Sequence, residues 1–399
     1  MRDTDHTRRD ILTGLREMPA QWAGQPPAGT DTPAEKGLVA GPACRALRGR
    51  GARSNRAGRH ERLRVEAADD GWGGLEQLAA EPCPTQVTLE RARGILTRNE
   101  SPDICFNWSL NPYRGCEHGC IYCYARPGHA NLGLSAGLDF ESRIIVKENA
   151  PELFEKALRK PGWRGEPVAV GTYTDCYQPL ERRYRLTRRI LEIAGRYGQP
   201  LMLVTKSRLV LRDLDLLKSL AARRLVRVAV SVTTLDARLA RLMEPRAATP
   251  ERRLEVIGAL ADAGVPVSLM LAPVIPALND HEIERIMLRA RHAGAVEAGM
   301  VMLRLPLEIA DLFAEWLQAH FPDRAARVLG LIRQMRGGKL YTSRFHERMR
   351  GAGPHAWMIW RRFELMYRRL GFGRGITPLN TGVFRPPSAP PRQLALPGL

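Results

Sequence analysis

The chain has 399 residues, 44% of them hydrophobic, and a formal net charge of +19 carried almost entirely by arginine. That is enough apolar material for one large domain, or for one barrel of roughly 200–250 residues with extensions. No run approaches the ~18 apolar residues of a membrane span, and the charged opening Met1–Arg16 lacks a signal-peptide core, so a cytoplasmic protein with no membrane contact is expected.

Residues 1–95 are rich in Gly, Ala, Pro and Arg without a sustained apolar period, which reads as a flexible or disordered N-terminal region. Within it Arg45–Arg64 holds eight arginines against one acid, Glu61, a basic arm suited to lying along phosphates. From about residue 100 the texture changes. Strand-like runs fall at Trp108–Leu110, Val168–Tyr173, Leu201–Thr205, Val226–Val232, Val267–Leu271 and Ala298–Leu303, with a weaker one at Ile144–Lys147. Helical periods lie between them at Arg183–Tyr197, Arg212–Arg223, Pro250–Ala263 after Thr249, and Asp280–Ala293 with Asn279 as its N-cap. Strands each followed by a helix predict an α/β fold with a parallel sheet and right-handed crossovers. After Leu303 the chain reads as helices (Glu308–Phe321, Asp323–Met335, Trp357–Leu370) rather than as two more barrel units. The expectation is a partial (β/α)6 TIM-like barrel over 96–305, a helical basic C-terminal extension over 306–377 and a mobile Pro-rich tail over 378–399.

Seven cysteines stand at 44, 83, 105, 116, 120, 123 and 176, an odd number better suited to reduced thiols than to a disulfide framework. Three crowd into the loop Asn111-Pro112-Tyr113-Arg114-Gly115-Cys116-Glu117-His118-Gly119-Cys120-Ile121-Tyr122-Cys123-Tyr124, directly after the first barrel strand. Thiolates spaced C-x3-C-x2-C can reach three corners of an iron–sulfur cubane. The competing zinc site needs a fourth ligand, His118 or Cys105, and would make the chain a non-catalytic, metal-bearing nucleic-acid-binding protein.

This loop, with Tyr122 before its last cysteine, resembles the signature of the radical S-adenosylmethionine superfamily. The resemblance implies a [4Fe–4S] cluster on Cys116, Cys120 and Cys123, with the fourth iron left for the methionine end of S-adenosylmethionine, and a reductase such as flavodoxin or ferredoxin as electron donor. A closer likeness covers Ser101–Ile104, Asn111–Pro127, Leu132–Ser135, and the upstream Arg48–Ala52 and Asp69–Trp72. These stretches are similar to the spore photoproduct lyase-like branch often labelled "DNA repair photolyase". That branch implies an enzyme of lyase or transferase type acting on a base lesion or modified base in nucleic acid; a protein or small-molecule substrate is the alternative.

Positions carried over from the resemblance follow the strand ends. Thr174 and Asp175, in Gly171-Thr172-Tyr173-Thr174-Asp175-Cys176, match the small-residue motif near the methionyl amine. Lys206 resembles the lysine directed at the methionyl carboxylate, Ser231 the polar residue against the ribose, and Arg246 a residue flanking the nucleoside; Tyr122 completes the cofactor set. Cys176, where the branch more often has Pro, is the candidate hydrogen donor to a substrate radical. Two further features suggest partners. Between Asp323 and Arg385 fourteen Lys/Arg face three acids, with Tyr341, Phe345, Trp357, Trp360, Phe363 and Tyr367 interleaved, a composition suited to phosphate contact and base stacking. The ending Gln393–Leu399 resembles short peptides that dock on the replication sliding clamp.

Overall fold

The computed structural model describes residues 49–61 and 83–386. Among these residues ten strands form two sheets. In chain order they are β1 (Gln86–Glu90), β2 (Leu96–Arg98), β3 (Trp108–Leu110), β4 (Tyr113–Arg114), β5 (Arg143–Lys147), β6 (Val168–Val170), β7 (Leu201–Thr205), β8 (Val226–Ser231), β9 (Val267–Val274) and β10 (Glu297–Met302). The larger sheet runs β10-β9-β8-β7-β6-β3-β2. Its six strands from β3 to β10 are parallel, and β2 is antiparallel to β3. With helices Leu186–Tyr197, Leu214–Ala222, Pro250–Asp262 and Ile283–His292 in the crossovers, this is the expected α/β partial barrel.

Period-two patterning builds the layers. Leu201, Leu203, Val226, Val228 and Val230 are buried in one apolar cluster with Ile190, Leu191, Leu217 and Leu220 of the helices. Each such side chain contributes about 1.5–3 kcal/mol by leaving water. The alternate positions Met202, Val204, Arg227 and Ala229 are only partly buried and line the concave face. Because the six strands are parallel, the loops after Leu110, Val170, Thr205, Ser231, Val274 and Met302 all emerge on one rim. No hydrogen bonds join β2 to β10, so the barrel stays open. Asp103, between β2 and β3, spans the opening by accepting from the His346 N–H (2.6 Å) and from the Arg348 guanidinium. On the outer edge of β10, Gly373 N–H bonds Val296 O (2.9 Å) and Arg336 Nη2 bonds Leu303 O (2.8 Å).

Several expectations are corrected. The run at Ile144–Lys147 is β5, outside the barrel: it pairs with β1 and β4 in a three-stranded sheet under the cysteine loop. The strand from Val168 stops at Val170, because Gly171 turns the chain with φ +81°. Thr249 does cap its helix, but Asn279 caps nothing; its amide bonds Ile275 N–H, Thr233 O and Pro273 O, tying two loops together. Residues 49–61 and β1, inside the stretch read as flexible, are folded onto the rim. Arg56 and Arg59 of the expected phosphate-binding arm pair instead with Glu315 (3.6 Å) and Glu308 (2.8 Å) on or beside the helix Ile309–His320. Residues 378–386, read as mobile, cross the other end of the strands: Asn380 N–H bonds Arg224 O, Arg385 N–H bonds Tyr197 O, and Val383 and Phe384 pack on the core. The rest of residues 1–95, Asp69–Trp72 among them, and the ending Gln393–Leu399 lie outside the described residues. Among the described residues no helix is long and apolar enough to cross a membrane.

Candidate active site

The cysteine loop is shaped by two glycines and held from beneath. Gly115 (φ +78°) and Gly119 (φ +67°) adopt conformations that L side chains rarely take. A Cβ at Gly115 would meet Phe140 O at 2.9 Å. Cys116 N–H donates to that same carbonyl, and β4 fixes the loop's entry by pairing with β5. Arg126, fully buried, gathers the loop's carbonyls: Nε to Cys120 O (2.9 Å), Nη2 to Gly119 O (3.2 Å), Nη1 to Ala136 O and Gly137 O. Its charge is met by buried Glu141, which also accepts the N–H groups of Gly51 and Ala52, both at 2.8 Å. Arg50 completes this N-terminal clip, with Nη1 on Glu141 O (2.6 Å) and Nη2 on Thr85 Oγ1 (3.2 Å).

Burial pushes the thiols of Cys116, Cys120 and Cys123 up; Asp175 and the two other thiols add to the effect at Cys116, and Glu244 and Cys123 add to it at Cys120. Lys206 opposes it at Cys120 and Cys123, its Nζ lying 5.9 Å from the Tyr122 ring centre. Buried thiols facing one another part with their protons to a metal centre rather than to water. The donor set therefore fits an iron–sulfur cluster. It does not supply a zinc knuckle: His118 Nδ1 is turned to Asp175 Oδ2 at 3.3 Å, and Cys105 lies beside Arg227 and Glu297 at the opposite end of β8 and β10. Among the described residues no three His, Cys, Asp or Glu side chains converge on a single-ion site.

The other candidates are distributed around this loop. Asp175 is a buried joint between strand ends: Oδ1 accepts from Tyr177 N–H and Thr205 Oγ1, and Oδ2 from Lys206 N–H, all at 2.8 Å. Burial alone would raise its carboxyl, but His118 and these N–H donors outweigh that and hold it at about 2. Thr174 Oγ1 donates to Tyr113 O (2.9 Å). Tyr122 donates its hydroxyl to buried Glu244, which also pairs with buried Arg253; Arg253 in turn donates to Ser231 O (3.1 Å). Ser231 is buried at the end of β8. Arg246 is half-exposed, pairing with Glu117 (3.3 Å) and donating to Thr85 (3.3 Å). Cys176 does not join them. Its thiol lies in the core within 4.0 Å of Val170 O and Val204 O, fully buried, whereas a hydrogen donor has to touch substrate. Arg126, Glu141, Glu244, Arg253 and Gly51 were not legible as site residues from sequence. Arg126 alone had a signal, its place in Tyr124-Ala125-Arg126-Pro127.

Tyr124 and Tyr173 stand exposed at the rim, edge to face at 6.1 Å, with the Arg304 guanidinium 5.2 Å from the Tyr124 ring. A cavity of about 320 Å³ at the far end of the strands, lined by Arg227, Glu297 and residues 374–377, is remote from the thiols.

A family model described as the radical SAM superfamily matches residues 110–290. An uncharacterized protein of Mycobacterium tuberculosis is 38% identical over 266 residues, 65% of this chain and 78% of that protein. An uncharacterized protein of Methanocaldococcus jannaschii is 31% identical over 175 residues, 43% and 62% of the two chains. A spore photoproduct lyase solved with dinucleoside spore photoproduct shares the fold at 14% identity and TM-score 0.53, over 72% of this chain and 80% of that one.

Proposed function

Since the chain belongs to the radical S-adenosylmethionine superfamily, we propose that it cleaves S-adenosylmethionine reductively at a [4Fe–4S] cluster on Cys116, Cys120 and Cys123, and acts on a lesion or modification of a nucleic-acid base. The observation that carries the reading is the set of three neighbouring thiols on one loop at the C-terminal rim of the parallel sheet, Cys116 and Cys120 buried and Cys123 partly so. When bound, cluster and cofactor supply one-electron cleavage of the sulfonium and a 5′-deoxyadenosyl radical able to take a hydrogen atom.

The chain's own residues bind, orient and exclude water. Lys206 brings a cation beside Cys120 and Cys123 and would meet the methionyl carboxylate, while Asp175 fixes the Lys206 backbone and Thr174 fixes the turn at Tyr113. The Glu244–Arg253 pair holds Tyr122 in the loop and sets the end of β8, where Ser231 would meet the ribose. Arg246, held by Glu117, would flank the nucleoside. The buried surroundings of Cys116 and Cys120 would keep solvent from the bound group.

The nucleic-acid part rests on this chain's rim, where exposed Tyr124 and Tyr173 with Arg304 offer a stacking surface adjoining Cys123, and on the overall charge of +19. In this reading residues 96–305 are the catalytic unit and 306–377 a substrate-facing extension, working with a flavodoxin- or ferredoxin-like donor in the reducing cytoplasm. Anaerobic reconstitution should give about four irons per chain. It should also give a reduced-cluster EPR signal altered by S-adenosylmethionine, and release of 5′-deoxyadenosine that Cys120→Ala abolishes. Stoichiometric zinc without iron uptake refutes the reading.

A further inference from the structure

Beside the rim, the chain after helix Pro322–Gln334 encloses a cavity of about 430 Å³ lined by Arg336, Lys339, Tyr341, Thr342, Ser343 and Arg344. Its chemistry is one-sided: three cations and three hydroxyls, with no carboxylate in the lining. Arg336 is 3% exposed and donates only to carbonyls, Leu303 O and Glu347 O; its Nε has no partner. Arg304, two residues beyond β10, likewise has a buried Nε without a partner, and among the described residues no carboxylate pairs with it. Its Nη1 meets only the Met349 sulfur at 3.5 Å. Among the described residues Lys339 forms no ion pair, and only Arg344 has an acid, Glu347 at 2.8 Å.

A buried guanidinium without a directly paired carboxylate is costly. Burial, with Arg304 beside it, pulls Arg336 down to about 10, outweighing the opposing pull of Tyr341 and the nearby Glu347 carboxylate. The Coulombic cost of keeping Arg304 and Arg336 close together is relieved by an anion, and planar guanidinium forks with hydroxyls match the oxygens of a phosphate. The position adds direction. Arg336 is anchored at the end of β10 on the same rim as the thiols, Leu340 packs in the apolar cluster of Cys120 and Tyr122, and Arg304 lies over Tyr124, next to Cys123.

We infer that this cavity is a phosphate subsite that seats one phosphodiester of a nucleic-acid strand, next to the base presented at the Tyr124–Tyr173 rim. The inference rests on the nucleic-acid reading above and deepens it: the phosphate fixes the strand's register, and the aromatic rim takes the base. Free phosphate would satisfy the same donors, so the test separates the two sources.

The full-length protein is titrated with a fluorescein-labelled single-stranded oligonucleotide by anisotropy at several salt concentrations. The proteins compared are wild type, Lys339→Ala and Lys339→Ala/Arg344→Ala, both exposed positions chosen to spare the buried Arg336. Inorganic phosphate at matched ionic strength is the competitor. Loss of the one seated phosphate should flatten the dependence of log K on log salt by up to about 0.7 for a single strand, more in the double variant than in the single one, with iron content unchanged. Oligonucleotide binding with the same slope in all three proteins overturns the subsite while leaving the function standing. No oligonucleotide binding by wild type overturns the nucleic-acid reading itself. Phosphate binding that needs Lys339, without oligonucleotide binding, makes the cavity a small-anion site and also overturns the inference.

Discussion

Gly51→Ala tests whether the N-terminal clip holds the cluster loop. A Cβ there would lie 1.9 Å from Gly119 O and 3.1 Å from Gly119 C, and both are backbone atoms that no rotamer change can move. The loop itself is fixed by Arg126 and by the Cys116 N–H bond to Phe140 O, so the displaced partner is the segment that carries Gly51. Its undocking removes two N–H bonds to the Glu141 carboxylate, each 2.8 Å. At about 1.5–3 kcal/mol for a hydrogen bond to a charged group, the two contribute about 3–6 kcal/mol to docking. Amide exchange should therefore show the 50–59 segment losing protection by roughly a hundred- to ten-thousandfold. Trypsin should then cut at Arg53, Arg56 and Arg59, and a reconstituted cluster should lose iron faster in air. Gly94→Ala, with nothing within 4 Å of the added carbon, is the control. If Gly51→Ala keeps wild-type exchange, cleavage pattern and iron retention, the clip reasoning is wrong.

Other outcomes follow from the same geometry. Deleting residues 1–61 should cost cluster retention as well as charge, since Arg50, Gly51 and Ala52 are lost together; an unchanged iron content would contradict it. Glu244→Gln leaves buried Arg253 without its counter-charge and should lower stability by about 3–5 kcal/mol, read from urea unfolding of the apo form. Asp175, at about 2 when folded against an ordinary 3.8, contributes about 2 kcal/mol above pH 4 that is lost as the pH falls toward 2. Asp175→Asn should flatten that acid limb of apo-protein unfolding, and an unaltered limb would assign it elsewhere. Cys176→Ala should lower the melting temperature and leave S-adenosylmethionine cleavage and substrate turnover intact; loss of turnover alone would restore the hydrogen-donor role.

The barrel was legible because its signals are local. Alternating Val and Leu runs, and helices introduced by residues such as Thr249, settle within a dozen residues, and the three cysteines sit in one loop. What holds that loop was not legible, because its partners are distant in sequence: Glu141 meets Gly51 across 90 positions and Arg126 across 15. Glycine at 51 looked like part of a polar, low-complexity stretch, since composition does not register that a backbone passes close by. The burial of Cys176 was not legible for a related reason. The residue follows Asp175, which does belong to the rim, but the turn from Gly171 sends the next side chain into the core. The weak run at Ile144–Lys147 had the right conformation and the wrong sheet, a choice made by β1, from a segment too short and too polar to read as a strand.

An open barrel leaves two strand edges exposed to pairing with other molecules, and this chain protects them unequally. β2 is three residues long and ends in Arg98, a poor template for a neighbouring chain. β10 is six residues long and mostly apolar, and its two ends are flanked by Gly373 N–H on Val296 O and by the Arg336 guanidinium on Leu303 O. Arg336 thus serves solubility as well as the cavity it lines. Removing it would uncover an apolar edge, and self-association would then mimic a loss of ligand binding in any titration.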